Sequence, residues 1–389
     1  MALANLTPHY CEGAAKLRLG DGFFRRESRP SRDLSVLLAW HQAHVQEGEH
    51  PLRWLDLMAG CGIRALRWAL EAAPSCRCTP DLWVNDADPD RLPLLKTNLA
   101  EIRSGPCRPR FSIQSADHLL IQSRLRGRRF DLIDLDAFGN PTSLIQPALQ
   151  ALGFGGILFL ASTDGRSPTG HDRGGAIRSF GAAARVHPAS WELALRQQLG
   201  LLARQAWMLG FGLKPLLSFS DGRTFRTAIR LRRHPVADEE QQLGMLARCE
   251  ACGDQQEQRL LQLKGWPTCR CPIGSGRWMV NGPLWLGPLQ DTAVLETLLQ
   301  AALPIAPATQ RLLKRLVADP GSPARVWSTA ELSHRCALQG PPALTSLVQQ
   351  LQDAGHQACV SGVMPGQLRT DAELPELLQI CCNAKGEGT

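Results

Sequence analysis

A glycine-containing turn between an apolar run and a helical pattern is the feature that most constrains the fold of this chain. The apolar run occupies residues 54–57, the turn residues 58–62, and residues 63–71 repeat apolar side chains at helical spacing. Glycine lets a backbone approach a ligand closely, and the N-terminus of the following helix favours negative charge. The segment therefore predicts the strand, turn and helix of a nucleotide-binding α/β unit.

A second apolar run ends at Asp86, 30 residues after Asp56, where an acid can hold the hydroxyls of a ribose. NAD and S-adenosylmethionine both satisfy this pattern. The turn reads A-G-C-G-I-R-A-L, which lacks the third glycine of a dinucleotide fingerprint and brings in Arg64. An arginine fork suits the carboxylate of S-adenosylmethionine, so the sequence favours a methyltransferase over a dehydrogenase.

The stretch F-D-L-I-D-L-D-A-F-G, residues 130–139, indicates a substrate site. It reads as a buried strand that ends on Asp136, Ala137 and Phe138. A carboxylate followed by an aromatic ring can hold a flat base that carries an amino group, by a hydrogen bond at its edge and stacking on its face. The alternative is that Asp136 caps the next helix and Phe138 packs in the core.

Alternating strand and helix patterns predict a doubly wound α/β fold. The predicted strands are residues 52–57, 82–86, 111–114, 130–136 and 156–163, then 213–220 and 224–232 around an Asp-Gly turn. The predicted helices include residues 90–104, 141–152 and 191–209. We expect a Rossmann-like class I methyltransferase sheet, in which parallel strands are closed by an antiparallel hairpin.

A polar segment, residues 233–242, predicts a domain boundary. We expect a methyltransferase domain over residues 1–238 and a smaller C-terminal α+β domain over residues 239–389. In the latter, residues 328–355 read as helix, turn and helix and residues 356–370 as a hairpin, which is typical of a winged-helix element.

Four cysteines open the C-terminal part in two close pairs, Cys249-x-x-Cys252 and Cys269-x-Cys271, separated by sixteen residues. Two thiolate pairs at such a separation predict a tetrahedral structural zinc site. The alternative is four ordinary cysteines, some of them buried.

Basic charge is concentrated in the first part of the chain. Residues 1–238 hold 31 Lys and Arg against 22 Asp and Glu, a net of +9, whereas the remainder holds 12 against 14, so that the two sum to +7. Arginines cluster within residues 25–32, 124–129 and 226–233. Three such clusters favour a partner with a phosphate backbone.

No apolar run reaches 18 residues and the N-terminus lacks a signal pattern, so we expect a soluble cytoplasmic protein. The odd count of 13 cysteines, without a regular framework, predicts reduced thiols.

These stretches together resemble the tRNA guanine-26 N2-dimethyltransferase family, over residues 22–372. The matching motifs are F-F and S-R-D-L-S-V-L in residues 23–37, L-D-L-M-A-G-C-G-I-R-A-L-R, V-N-D-A-D-P-D-R, F-D-L-I-D-L-D-A-F-G, S-T-D-G, W-E-L-A-L-R, the cysteine pairs and G-P-L-W-L-G-P-L. The resemblance implies S-adenosyl-L-methionine as methyl donor and tRNA as partner. Since no apolar run is long enough to span a bilayer, we expect no membrane partner, and we infer no obligate protein partner.

For the cofactor, the resemblance implies that Arg32 and Arg64 engage the methionine carboxylate. It implies further that Asp86 binds the ribose and that Asp117 and His118 border the adenine.

For the substrate, the resemblance implies that Asp136 is the catalytic carboxylate. Phe138, with Phe23 or Phe24 opposite, would sandwich the target guanine. The amino group of guanine would then be methylated to N2,N2-dimethylguanine.

Three positions depart from the family pattern. Ala137 stands where the family has proline, Arg25–Arg26 replaces Asn-Pro, and the second cysteine pair is shortened to C-x-C. Two alternatives stay open on these grounds: an amino-methyltransferase of the same fold with another nucleic acid or a protein as substrate, and a non-catalytic relative that binds tRNA.

Overall fold

The computed structural model of the protein describes residues 9–46, 48–105, 107–269, 271 and 276–383. Its strands are β1 (Tyr10–Glu12), β2 (Ala15–Leu17), β3 (Arg53–Asp56), β4 (Asp81–Asp86), β5 (Pro109–Ile113), β6 (Phe130–Asp136), β7 (Leu152–Ser162), β8 (Gly212–Ser220), β9 (Phe225–Arg232), β10 (Leu243–Cys249), β11 (Gln255–Arg259), β12 (Trp278–Trp285), β13 (Val326–Ser328), β14 (Ala358–Val360) and β15 (Gln367–Thr370).

The α-helices lie between and after these strands. They are α1 (Arg29–His44), α2 (Ile63–Arg67), α3 (Arg91–Asn98), α4 (Ala100–Arg103), α5 (Ala116–Leu125), α6 (Thr142–Ala151), α7 (Arg173–Phe180), α8 (Ser190–Met208), α9 (Thr292–Gln300), α10 (Pro307–Val317), α11 (Thr329–Arg335), α12 (Leu344–Asp353) and α13 (Leu374–Asn383). In the described part of the chain, no helix combines the length and apolar character needed to cross a membrane.

A seven-stranded sheet, in the order β5-β4-β3-β6-β7-β9-β8, is the centre of the fold. The pairs β3–β4, β3–β6, β4–β5 and β6–β7 are parallel, and β8 and β9 form the closing hairpin. Leu132, Ile133 and Leu135 of β6 are fully buried, as expected for a parallel strand covered on both faces. The predicted fold class is confirmed.

The chain forms two compact units. The first comprises Met1–Ala161, Ala228–Arg233 and Glu296–Leu313, and the second Ser162–Thr227, His234–Leu295 and Lys314–Thr389. The domain boundary at residue 238 is inferred from a polar segment of the sequence, whereas each of these units includes segments from both sides of it. The boundary stays a prediction.

A buried ion cluster fixes the N-terminal hairpin of the first unit. Arg67 has no exposed side-chain surface and contacts Glu12 at 3.0 Å, Asp33 at 2.6 Å and Glu71 at 2.8 Å. Burial favours the neutral form of an acid, but the guanidinium groups of Arg32 and Arg67 outweigh it and hold the pKa of Glu12 below its ordinary value. The cluster thereby ties β1 to α1 and α2.

The second unit contains two small sheets, β11-β10-β12 and β13-β15-β14. The helices α11 and α12 follow one another in the chain between strands β13 and β14 of the second of these sheets. Strand β14 then pairs antiparallel with β15. The helix, turn and helix and the following hairpin expected in residues 328–370 are therefore confirmed.

Several element bounds differ from the predictions. The predicted helix 90–104 is divided into α3 and α4 at Leu99, and β7 begins at Leu152 rather than at residue 156. The hairpin β1–β2 and the sheet β11-β10-β12 were not predicted. None of the thirteen cysteines, all of which lie among the described residues, forms a disulfide.

Candidate functional site

Acidic side chains lie at the carboxyl ends of three neighbouring strands of the central sheet. Asp56 ends β3, Asp86 ends β4, and Asp134 and Asp136 lie at the end of β6. Asp56 is in register with Asp134. In open parallel sheets this edge is where ligands bind.

Arg64 pairs with both acids at the end of β6. Gly62, with φ at +81°, starts α2, and the first turn of this helix carries Arg64. Its Nε lies 3.2 Å from Oδ2 of Asp134, and its Nη2 donates a hydrogen bond to Oδ2 of Asp136. The Ser35 hydroxyl also donates to Asp134, at 2.5 Å.

Burial and charge set the ionisation of this group of residues. Burial raises the pKa of Asp56 to about 7, with Asp134 acting in the same direction and Arg64 opposing. The pKa of Arg64 is itself raised by Asp134, Asp136 and Asp56 despite burial, so Arg64 stays charged. Asp136 retains a side-chain exposure of 30%, against none for Asp134. Asp136 is thus the acid of this pair that a substrate can reach.

The glycine turn and Asp86 form a second part of the site. Oδ2 of Asp86 accepts a hydrogen bond from the Gly60 N–H at 2.8 Å, and Oδ1 accepts one from the Asp88 N–H at 3.0 Å. A Cβ at Gly60 would meet no atom within 4 Å, whereas one at Gly62 would lie 2.5 Å from Leu99. Gly62 is favoured by its positive φ of +81° together with this close packing, and the open space beside Gly60 leaves room for a ligand.

Two exposed phenylalanines lie next to each other. Phe138 and Phe23 are 72% and 71% exposed, and their ring centroids are 5.2 Å apart in an edge-to-face arrangement. Solvent exposure of two large apolar rings in contact is typical of a binding surface. Phe24 instead packs on Tyr10, with ring centroids 4.9 Å apart.

The other predicted cofactor residues lie in different surroundings. Arg32 forms a buried ion pair with Glu12 at 2.6 Å, and its guanidinium carbon lies 4.5 Å from the Phe24 ring centroid. Asp117 and His118 are exposed in the first turn of α5. Hydrogen bonds from the Ser115 hydroxyl and the His118 backbone lower the pKa of Asp117.

Sequence reasoning missed Asp134 and Ser35 as members of the site. The signal for Asp134 was present, because residues two apart on a strand point to the same face, and Asp134 precedes Asp136 by two. The pairing of Ser35 with Asp134 joins residues 99 positions apart and has no local signal.

The four predicted zinc ligands come together in the second unit. The Sγ atoms of Cys249, Cys252, Cys269 and Cys271 all lie within 4.8 Å of one another, and those of Cys252 and Cys269 are 3.4 Å apart. Zn–S bonds of about 2.3 Å in a tetrahedron need sulfurs about 3.8 Å apart, so the cluster fits a zinc ion. A Cβ at Gly276 would lie 2.1 Å from the Cys249 Sγ, which explains the glycine there.

The sheet order, the glycine turn and the acids at the strand ends define a Rossmann-like class I methyltransferase fold. Residues 19–382 match the family described as N2,N2-dimethylguanosine tRNA methyltransferase. The chain belongs to this family.

Individual relatives agree with the family match. The tRNA (guanine(26)-N(2))-dimethyltransferase of Methanocorpusculum labreanum is 30% identical over 91% of this chain and 88% of the relative. That of Thermococcus kodakarensis is 28% identical over 91% of each chain. The solved complex of Trm1 from Pyrococcus horikoshii with S-adenosyl-L-methionine has the same fold, with a TM-score of 0.80 over 96% of this chain and 99% of that chain at 22% identity.

Proposed function

We propose that this protein transfers methyl groups from S-adenosyl-L-methionine to the exocyclic N2 of guanine 26 in tRNA, forming N2,N2-dimethylguanine. The observation that carries the proposal is Asp136, held by Arg64 at the carboxyl edge of the sheet two residues before the exposed Phe138. Family membership supports the choice of tRNA guanine over other amino substrates.

The proposed cofactor site consists of Asp86 and the glycine turn. The open space beside Gly60 lets the cofactor approach the backbone closely. S-adenosyl-L-methionine supplies an electrophilic methyl group when bound. The Asp86 carboxylate is already oriented by two backbone N–H groups, which leaves its remaining lone pairs for ribose hydroxyls. Arg32 and Arg64 as partners of the methionine carboxylate, and Asp117 and His118 beside the adenine, stay predictions.

Phe138 and Phe23 are the proposed walls of the base pocket. A guanine that is stacked in RNA must leave the stack before its amine can react, at a cost of a few kcal/mol. Stacking on an aromatic ring returns about 1–3 kcal/mol per base. The two ring centroids are 5.2 Å apart, so a base that stacks on both rings requires them to turn parallel and move apart, and Phe138 alone can provide one stacking face.

Asp136 would orient the amine and accept its proton. The N2 lone pair of guanine is delocalised into the ring, so the amine is a poor nucleophile until a hydrogen-bond acceptor turns it toward the methyl group. Arg64 acts as a positioning residue, because its guanidinium contacts both Asp134 and Asp136 and so fixes the orientation of the Asp136 carboxylate that accepts the hydrogen bond. Positioning and preorganised charge then supply most of the acceleration.

We further propose that Cys249, Cys252, Cys269 and Cys271 hold a structural zinc ion. The four Sγ atoms lie within 4.8 Å of one another, and four thiolates around one ion make the closed tetrahedral arrangement of a structural zinc site. In this proposal residues 1–238 carry out methyl transfer, and residues 239–389 contribute the zinc site and the winged-helix-like element.

The first prediction tests the reaction and its position. Purified protein with labelled S-adenosyl-L-methionine is expected to label a tRNA transcript that carries G26, and nucleoside mass spectrometry should find N2,N2-dimethylguanosine. A matched transcript with A26 should stay unlabelled, since adenine has no N2 amine. Equal labelling of the two transcripts would contradict the assignment of guanine 26.

The second prediction concerns the cofactor. Asp86→Ala is expected to weaken binding of S-adenosyl-L-methionine by about tenfold or more, because loss of hydrogen bonds to a charged group costs about 1.5–3 kcal/mol. Calorimetry on wild type and variant measures the change. Asp90→Ala, which removes a neighbouring exposed acid, is the matched control and should bind the cofactor normally.

A further inference from the structure

A row of arginines and aromatic rings lies at the opposite edge of the central sheet, where the parallel strands begin. We call it the amino-edge strip. Its members are Arg53, Arg110, Arg126, Arg128, Arg129 and Arg233, with the rings of Trp83 and Phe154. All belong to the first compact unit.

The first half of the amino-edge strip is built on Trp83. The guanidinium carbon of Arg128 lies 4.0 Å from its ring centroid and that of Arg110 lies 5.5 Å away. Arg110 is the register partner of Trp83 on the neighbouring strand, which places the two side by side. Two cations thus lie close to the same indole ring.

The second half repeats this arrangement on Phe154, which is 47% exposed. The guanidinium carbons of Arg129 and Arg233 each lie 6.0 Å from the ring centroid. Nη1 of Arg129 donates to the carbonyl oxygens of Gln150 at 2.7 Å and Leu152 at 3.2 Å, so this arginine is held in place. The same combination of ring and paired arginines therefore occurs twice along one edge.

The positive charge of the strip is only partly neutralised. Asp81 contacts Arg110 at 2.9 Å and Arg53 at 3.9 Å, and a carboxylate oxygen of Asp131 accepts a hydrogen bond from the Arg53 backbone N–H. Among the described residues, the contacts of these two acids are with Arg53 and Arg110, two of the six arginines. The pKa of Arg128 is lowered by burial and by the charges of Arg126, Arg110 and Arg53. Mutual repulsion of this kind is relieved when an anion binds.

We propose that the amino-edge strip binds the sugar–phosphate backbone of the RNA substrate at a distance from the target base. Arginines bind phosphates in a bidentate manner, and the exposed ring of Phe154 between them offers a stacking face to an unpaired base, which is the chemistry of a nucleic-acid surface. Strand β6 has seven residues, so the strip and the acids of the site are about 23 Å apart at about 3.3 Å per residue. A tRNA is several times longer than this distance.

This inference rests on the proposed function, and it assigns a separate task to each edge of the sheet. The carboxyl edge selects and reacts with one base. The amino-edge strip contributes affinity that depends on salt but not on the identity of residue 26 of the RNA.

The test uses the full chain and the double variant Arg110→Glu/Arg233→Glu, because both side chains are exposed and their loss leaves the core intact. Binding to unmodified tRNA is measured by fluorescence anisotropy over a range of salt concentrations. The expected result is at least a tenfold loss of affinity at low salt, and a salt slope reduced by about one to two, since each phosphate contact contributes about 0.7–0.9. Affinity for S-adenosyl-L-methionine should not change.

Lys96→Glu is the control for the single variants Arg110→Glu and Arg233→Glu, because each of the three replaces one exposed basic side chain by glutamate and Lys96 lies in α3, outside the strip. In methyl transfer to the G26 transcript, the double variant should raise KM for tRNA and keep kcat. Wild-type affinity and slope in the double variant, or an equal loss in Lys96→Glu, would overturn the proposal. Salt-dependent tRNA binding by a wild type that transfers no methyl group would count against the proposed function alone.

Discussion

Replacement of Asp136 by asparagine is expected to slow methyl transfer to tRNA by roughly two to four orders of magnitude, the range for a positioned acid–base group. Asparagine keeps the shape of the side chain but can neither accept the proton of the amine nor form the ion pair with Arg64. Single-turnover transfer of labelled methyl to unmodified tRNA measures the chemical step, separate from product release.

Folding and binding should survive this substitution. Arg64 retains its contact with Asp134, so no buried guanidinium is left without a counter-charge. Affinities for tRNA and S-adenosyl-L-methionine are expected to stay close to those of wild type. Asp131→Asn is the matched control for β6, because Asp131 lies on the same strand at its other end; it is assayed at saturating tRNA, since Asp131 borders the amino-edge strip. Full activity in Asp136→Asn would exclude the proposed role of Asp136, and an equal loss in Asp131→Asn would indicate a general effect on β6.

The elements that carry the site were predictable because their patterns are local. The stretch F-D-L-I-D-L-D forms β6 over Phe130–Asp136, as predicted, because its apolar residues are buried on both faces of a parallel strand. The alternative in which Phe138 packs in the core is wrong, since this ring is 72% exposed. Cys249, Cys252, Cys269 and Cys271 likewise assemble as their spacing indicated.

The partners of the arginines were not predictable from sequence. The glycine turn indicated Arg64 as a cofactor ligand, yet in the structure it contacts Asp134 and Asp136, 70 and 72 residues further along the chain. That pairing depends on β3 and β6 being neighbours in the sheet, which is a property of the topology. Arg32 is paired with Glu12, which lies in a strand of three residues, too short to give a periodic signal.

The amino-edge strip shows the same dependence on topology. Its arginines are spread from Arg53 to Arg233 in the sequence, and three separate clusters of basic residues gave only a general indication of a phosphate partner. The parallel arrangement places the first residues of β3 and β4 side by side, with Arg53 in register with Asp81. Charges that are distant in sequence thereby form one surface.

Removal of zinc from the cysteine cluster is expected to reduce the stability of the protein strongly. The protein purified without added zinc is expected to contain about one zinc ion per chain, because four thiolates make a closed tetrahedral site. Structural zinc contributes about 10–16 kcal/mol to the folding of small zinc domains. Removal of the metal by a chelator should therefore lower the unfolding temperature strongly. Mass spectrometry of metal content and differential scanning calorimetry, with and without the chelator, measure the two effects.

Cysteine variants separate loss of metal from loss of packing. Cys252→Ser should lose most of its zinc and unfold at a lower temperature, because a serine hydroxyl is a poor ligand for zinc. Cys336→Ser is the matched control, since Cys336 is buried in the same hydrophobic cluster but lies outside the four ligands. It should keep its zinc although a buried hydroxyl reduces its stability. Wild-type protein that contains no zinc and resists the chelator would mean that the shortened C-x-C pair does not bind metal, and that the four sulfurs stabilise this region only as buried thiols.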